Sequence, residues 1–580
     1  MLSGPRIFKK IKKNLFPDPE KQNYARIWRK LIRRHRRQWR QKAVAGRTGP
    51  KVLIATSTGG LRAVTPVEST IAAALHLREC DVHFLLCDEF LPACSQADSK
   101  IFDDVGEFVR GAMFERKCPR CFRKGRAIYE ALDRPIHRYS ELVSEDDLRR
   151  AESLATSVSY HAIPEFQLDG LAVGEHALAG ALRFFAKGNL DDEPLAEPVL
   201  RRFFQAALLT TFALRTLLHR IRFDCAVFHH GIYVPQGLIG EVARQEQVRV
   251  VNWIPAYRKR CFIFSHGDTY HHTLISEPMD RWESMQWNDA TEAELMDYLQ
   301  SRWRGTRDWI SFHRDPQFEV AAIAAEVGID FSRPCIGMLT NVMWDAQLHY
   351  PANAFPNMLE WVWRTISYFA ERPDLQLLIR VHPAEITGVI PSRQAIVTEI
   401  AKRFPQLPDN VFVIPPESRI STYVAMQHCD SVIIYGTKTG VELTSMGIPV
   451  IVAGEAWIRG KGITTDAESV ADYLRILDGL PLGKRLAEAT IERARKYAYH
   501  FFFRRMIPLP FMQPTGGRPP NRLALKNLKE LLPGRSPGLD VICAGIIDGS
   551  DFIYRAEAAV DTANLSGAAQ GETSSTREGG

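Results

Sequence analysis

Two stretches in the carboxyl-terminal half set polar side chains at the ends of apolar runs: "LQLLIRVHPAE" (375–385) and "YGTKTGVELTSMGIPVIVAG" (435–454). In the first, Arg380 could neutralise a phosphate, His382 could donate to one, and Pro383 ends the run. In the second, Gly436, Thr437, Lys438, Thr439 and Gly440 form a small polar turn before a helix. Backbone N–H groups and hydroxyls at a helix start suit an anion. Lys438 adds charge there, and Glu442, one turn on, could accept from ribose hydroxyls. The competing reading is a plain capped junction, with Glu442 serving only the helix dipole. In "RGKGIT" (459–464), Lys461 could reach a phosphate from above or belong to an ordinary surface loop.

A second set lies elsewhere. "HHG" (229–231) places His230 after another apolar run, as a general base, a donor, or a structural histidine. "TNVMWDAQ" (340–347) holds Asn341 and Asp345, the latter a candidate base or a cap. Cys87 and Cys94 in "CDEFLPAC", with Cys118 and Cys121 in "CPRC", raise a structural zinc site; the alternative is buried reduced thiols.

These residues need strand ends to hold them. "KVLIAT" (51–56), the glycine loop "STGG", the helical "VTPVESTIAAALHLREC" and "VHFLLCD" (82–88) read as a strand–helix–strand unit of a parallel sheet. The pattern returns at "DCAVFHHG" (224–231) and "VRVVNWI" (248–254), across a mostly helical stretch. A second series has strands at 335–340, 375–381, 411–414, 431–436 and 449–454. The expected fold is α/β, with two tandem Rossmann-like domains. Ligands then belong in the interdomain cleft, at the carboxyl ends of the strands. The boundaries fall as a basic arm (1–48), an amino-terminal domain with a helical insertion (49–310), a carboxyl-terminal domain (330–510) and an extension (511–580) expected to be disordered at its end. "STGG" lacks the G-x-G-x-x-G spacing of a dinucleotide fold, which argues against a dehydrogenase.

Of the chain's 580 residues, 45% are hydrophobic and 24% charged, as in a soluble globular protein. Residues 1–51 hold 17 of the 74 Lys and Arg but only Asp18 and Glu20 of the 67 acidic residues. Within them, Tyr24, Ile27, Trp28, Leu31, Ile32 and Trp39 recur at helical spacing among arginines. Such a helix suits an anionic membrane surface. The acidic body argues against nucleic acid. With no signal peptide and no apolar run of spanning length, the expected location is cytoplasmic, peripheral on the inner membrane.

Taken together, "TNVMWDA", "IRVHPAE", "ISTYVAM", "YGTKTGVELTSMGIPVIVAG" and "RGKGIT" resemble the bacterial capsule and surface-polysaccharide biosynthesis proteins of GT-B type, related to the capsular Kdo transferases. The resemblance is strongest over about 335–480. It implies a glycosyltransferase that takes a CMP-, UDP- or GDP-linked sugar in the second domain, with His382, Thr437 and Thr439 on the donor phosphate. A glycan or lipid-linked acceptor lies on the first domain. The turn departs in reading Thr-Lys-Thr where serines are more usual, and the first domain has no acidic D/E-D/E-G motif. His230 or else Asp345 would be the base. With no D-x-D motif at a strand end, fixed positive groups would take the place of a required metal. A nucleotide-sugar epimerase or hydrolase, or a non-catalytic binding subunit of an export system, are the rival readings.

Overall fold

Two parallel sheets organise the chain in the computed structural model, which describes residues 22–310, 316–345, 350–516 and 520–558. The glycine-rich end at 561–580 and the first part of the arm lie outside the described residues.

The first sheet holds β1 (Lys51–Ser57), β2 (Asp81–Leu86), β3 (Ile136–Arg138), β4 (Cys225–His229), β5 (Arg249–Pro255) and β6 (Cys261–His266). Its parallel part runs in the order β3-β2-β1-β4-β5, and β6 joins antiparallel to β5. The second sheet holds β7 (Cys335–Leu339), β8 (Gln376–Arg380), β9 (Val411–Ile414), β10 (Ser431–Ile434), β11 (Val450–Val452) and β12 (Thr465–Asp466), in the order β12-β11-β10-β7-β8-β9 and all parallel. Both are doubly wound. Each strand order reverses beside its first strand, between β1 and β4 and between β7 and β10. Such switch points open a crevice at the strands' carboxyl ends. The strands read as unbroken apolar runs because helices cover both faces; every residue of β7, β8 and β10 is buried.

The division of the chain differs from the sequence expectation at its end. After the helix Glu488–Tyr499 the chain returns, and β13 (Ile507–Pro508) pairs antiparallel with β6. The helix Pro537–Asp548 then packs into the core shared with the helix Thr65–Leu77. The described residues between 507 and 552 thus complete the first domain, a long-range pairing that no local pattern announces.

The arm also differs. Its helices Tyr24–Arg34 and Arg36–Ala45 lie on the body, with Trp28, Leu31 and Trp39 buried in the core of the first domain. His76 Nε2 meets the Trp39 carbonyl at 3.0 Å, and the two rings are 4.0 Å apart. The apolar face expected to enter a membrane is therefore covered by protein. Arg29, Lys30, Arg33, Arg34, Arg36, Arg37 and Arg40 stay exposed. Among the described residues no helix is long and apolar enough to cross a membrane.

Candidate functional site

The second sheet's switch point brings three loops together. The His382 N–H donates to Thr340 Oγ1 (3.2 Å), which joins the β8 end to the β7 end. The Gly436 N–H donates to Asn341 Oδ1 (3.2 Å), which joins β7 to the β10 turn. Thr437 and Thr439 pair through their hydroxyls at 3.1 Å. His382 Nδ1 accepts from the Ala384 N–H at 3.0 Å, so its ring proton sits on Nε2. Gly440 is needed for close packing: a Cβ there would come within 2.6 Å of Ile434 Cδ1. The turn therefore sits directly on its own strand. The β8 end with His382 and the turn with Gly436, Thr437, Thr439 and Gly440 are thus each tied to the β7 end, at Thr340 and Asn341.

Arg380, Glu442 and Lys461 are not available for the roles first given to them. Arg380 is 1% exposed, and its guanidinium donates to the Pro415 and Ser418 carbonyls and to Thr422 Oγ1. It braces the 415–422 loop, because a buried guanidinium needs acceptors on every side. Burial lowers its pKa to about 10. Glu442 is wholly buried and takes Arg302 at 3.0 Å, Lys438 at 2.9 Å and the Tyr423 hydroxyl at 2.5 Å. Burial works to raise its pKa, but Arg302 and Lys438 overcome that and hold it at about 2. No oxygen is left for a ribose. Lys438, over the Tyr257 ring at 4.8 Å, is tied into the same cluster. Lys461 is 1% exposed and donates to the Ile275 and Glu277 carbonyls, fastening the second domain to the first.

Facing this is the switch point of the first sheet. Ser57 ends β1 with φ 56° and His230 follows β4 with φ 71°. Non-glycine residues in this region are uncommon and gather at functional sites. Gly231 follows at φ 91°, where a Cβ would also come within 2.8 Å of Asn252 Nδ2. The His229 N–H donates to Thr56 Oγ1 at 2.8 Å, closing the β1–β4 gap. His230 lies 4.9 Å from the Tyr233 ring, and the Tyr233 hydroxyl donates to Asp345 Oδ1 at 2.9 Å. The two candidate bases, 115 positions apart in sequence and on different domains, thus meet through one tyrosine. Burial lowers the pKa of His230 to about 4, with Asp345 opposing and Arg183 reinforcing. His230 Nδ1 has no hydrogen-bond partner among the described residues.

Several contributors had no legible signal. Tyr233 and Arg183, whose guanidinium lies 5.3 Å from the Tyr233 ring, come from a loop and from the inserted helix Val173–Phe185. Beneath the first switch point Glu68 is wholly buried, accepting from Thr56, Tyr129 and Trp253, and burial raises it to about 7. Across the cleft His272 reaches Glu455 at 3.4 Å and Asp268 at 3.1 Å. Burial would lower His272, but the two carboxylates raise it to about 9.

The four cysteines share one cavity, yet among the described residues no three His, Cys, Asp or Glu side chains are placed to hold a single metal ion. The single-ion zinc site raised for Cys87, Cys94, Cys118 and Cys121 is therefore not formed among the described residues, and all four are free cysteines.

Residues 333–491 match the model of the capsule polysaccharide biosynthesis protein family, a segment that contains β7 to β12 and every donor-side residue above. No curated protein matches the chain. Among solved structures, the beta Kdo 2,4 transferase KpsC of Thermosulfurimonas dismutans aligns at 11% identity over 53% of this chain and 87% of its own, with a TM-score of 0.33. The beta Kdo 2,7 transferase KpsC of the same organism aligns at 13% identity over 55% and 88%, with a TM-score of 0.30. The UDP-GlcNAc 2-epimerase of Neisseria meningitidis bound to UDP-GlcNAc aligns at 10% identity over 77% and 95%, with a TM-score of 0.24. Likenesses this distant carry no part of the argument.

Proposed function

We propose that this chain, with its capsule polysaccharide biosynthesis segment at 333–491, is a glycosyltransferase that moves a sugar from a nucleotide-activated donor to a surface polysaccharide or glycolipid acceptor. The observation that carries the reading is the meeting of two switch points: a hydroxyl-rich turn with His382 on one side, and His230 with Asp345 on the other. The donor phosphate lies on the 436–440 turn, where Thr437, Thr439, backbone N–H groups and His382 Nε2–H can donate to it. The acceptor hydroxyl lies between the domains and gives its proton to His230, which is neutral at physiological pH, as it attacks the anomeric carbon. With Arg380, Lys438 and Lys461 engaged elsewhere, His382 and the donor groups of the turn stabilise the leaving phosphate.

Nucleotide binding tests the donor half. CMP, UDP or GDP is expected to raise the thermal midpoint, by about 2.7 kcal/mol of apparent stability at a hundredfold excess over Kd. His382→Ala is expected to weaken that binding without lowering the midpoint of the free protein. Turnover of the donor with no acceptor present would replace transfer by epimerisation or hydrolysis. Saturable nucleotide binding with no turnover of any donor would make the chain a binding subunit.

The exposed arginine face of the arm supports adsorption to an anionic membrane by charge alone, at about 1 kcal/mol per side chain near the surface. Binding to phosphatidylserine vesicles at low salt should vanish at high salt, and in a variant carrying Arg29→Glu, Arg33→Glu, Arg36→Glu and Arg40→Glu. Binding that survives both would require an apolar anchor.

A further inference from the structure

Four cysteines from two short motifs, all between positions 87 and 121, converge on one cavity of about 350 Å³ at the carboxyl ends of β1 and β2. Cys87 follows β2 and Cys94 lies in the next loop; Cys118 and Cys121 stand one turn apart in the helix Cys118–Glu130. Three of the sulfurs already receive backbone N–H groups. Gly60 donates to Cys121 Sγ at 2.9 Å and Gln96 to Cys94 Sγ at 3.5 Å, while the amides of Glu89, Phe90 and Leu91 reach Cys87. Such bonds favour thiolate over thiol and orient metal-bound sulfur.

The spacing is the informative part. No three of these sulfurs close on one ion, yet all four line the same space. A ligand that fills the middle of that space and presents several metal atoms outward would reach all four. Its charge must also suit the walls. Arg62, Arg116, Lys117, Arg120 and Lys124 line the cavity against a single carboxylate, Glu89. Four thiolates around a metal–sulfide core carry net negative charge, which those side chains complement. The other cysteines are buried and line no part of this cavity.

We propose that Cys87, Cys94, Cys118 and Cys121 ligate a cubane iron–sulfur cluster, one thiolate to each iron, seated in this cavity. On binding a preformed core each thiol releases one proton to solvent as its iron–sulfur bond forms, and no electron is transferred. The cluster would brace the first-domain loops that carry Thr58 and Gly60, and this inference does not depend on the transferase reading.

Full-length protein isolated without oxygen from iron-replete cells is expected to show a broad visible absorption, with about four iron and about four acid-labile sulfide per chain. Cys118→Ser and Cys121→Ser should each lose the colour and the iron, while Cys80→Ala, a buried thiol outside the cavity, keeps both. Far-UV circular dichroism separates loss of cluster from loss of fold. Should the cysteine variants fail to fold, metal and sulfide analysis of the unaltered protein decides by itself. Stoichiometric zinc without sulfide would overturn the proposal. So would four freely titrating cavity thiols that remain after anaerobic treatment with iron and sulfide.

Discussion

His230→Asn is expected to lower kcat/KM by about 10²- to 10⁴-fold with little change in donor affinity, the usual effect of removing a general base. Asparagine is the informative substitution because it tolerates the left-handed backbone that His230 adopts at φ 71°. An alanine there would mix loss of the base with backbone strain. The expected pH profile is also specific. With a folded pKa of about 4, His230 is neutral and able to accept a proton throughout the physiological range. The limb of kcat/KM that reports this base should therefore lie near pH 4, well below the ordinary range of an imidazole. Asp345→Asn provides the comparison, since Asp345 reaches His230 through Tyr233. If the base is His230, the Asp345 variant retains measurable turnover and a shifted acid limb. A silent His230→Asn together with a dead Asp345→Asn would exchange the two roles.

Glu442→Gln is expected to destabilise the second domain by about 3–5 kcal/mol, read as a lower thermal midpoint in the absence of any nucleotide. The substitution leaves Arg302 and Lys438 buried beside a neutral amide, although Arg302 keeps Asp308. An uncompensated buried charge costs more than the pair contributed. The same cluster sets an acid limit. The folded pKa of Glu442 is depressed to about 2 from an ordinary 4.5, and that of Glu277, beside Arg505 and His500, likewise falls to about 2. A depressed carboxylate contributes stability above its unfolded pKa. That contribution is lost as pH falls from about 4.5 towards 2. Acid unfolding should thus begin below about pH 4.5 and be shallower in Glu442→Gln, which has lost one of the titrating groups. An unchanged acid transition in the variant would show that the cluster does not govern this limit.

Both experiments turn on a distinction invisible in the residue string. Arg380, His382 and Lys438 stand at or just beyond strand ends, Glu442 and Lys461 lie in the segments that follow, and each is chemically able to meet a phosphate or a sugar. The structure ties the His382 backbone to the β7 end through Thr340 and commits the side chains of the others to carbonyls or to one another. A side chain's type and spacing say what it can do. They do not say which buried acceptors nearby must be satisfied first, and in a low-dielectric interior that demand outweighs an occasional ligand. The arm shows the same effect. Trp28 and Trp39 mark an apolar stripe in sequence, but whether lipid or protein covers it depends on a surface made of Leu75, Leu77 and the returning segment around Leu528.

Apolar runs with glycine turns are local and periodic, and they were sufficient by themselves for two doubly wound parallel sheets and for the strand ends that carry the polar residues. Two things were left to the tertiary structure: the return of β13 to the first sheet, and the bridge from His230 through Tyr233 to Asp345. Each joins residues dozens to hundreds of positions apart. Such contacts follow from how whole domains pack, and no local pattern of residue types encodes that packing.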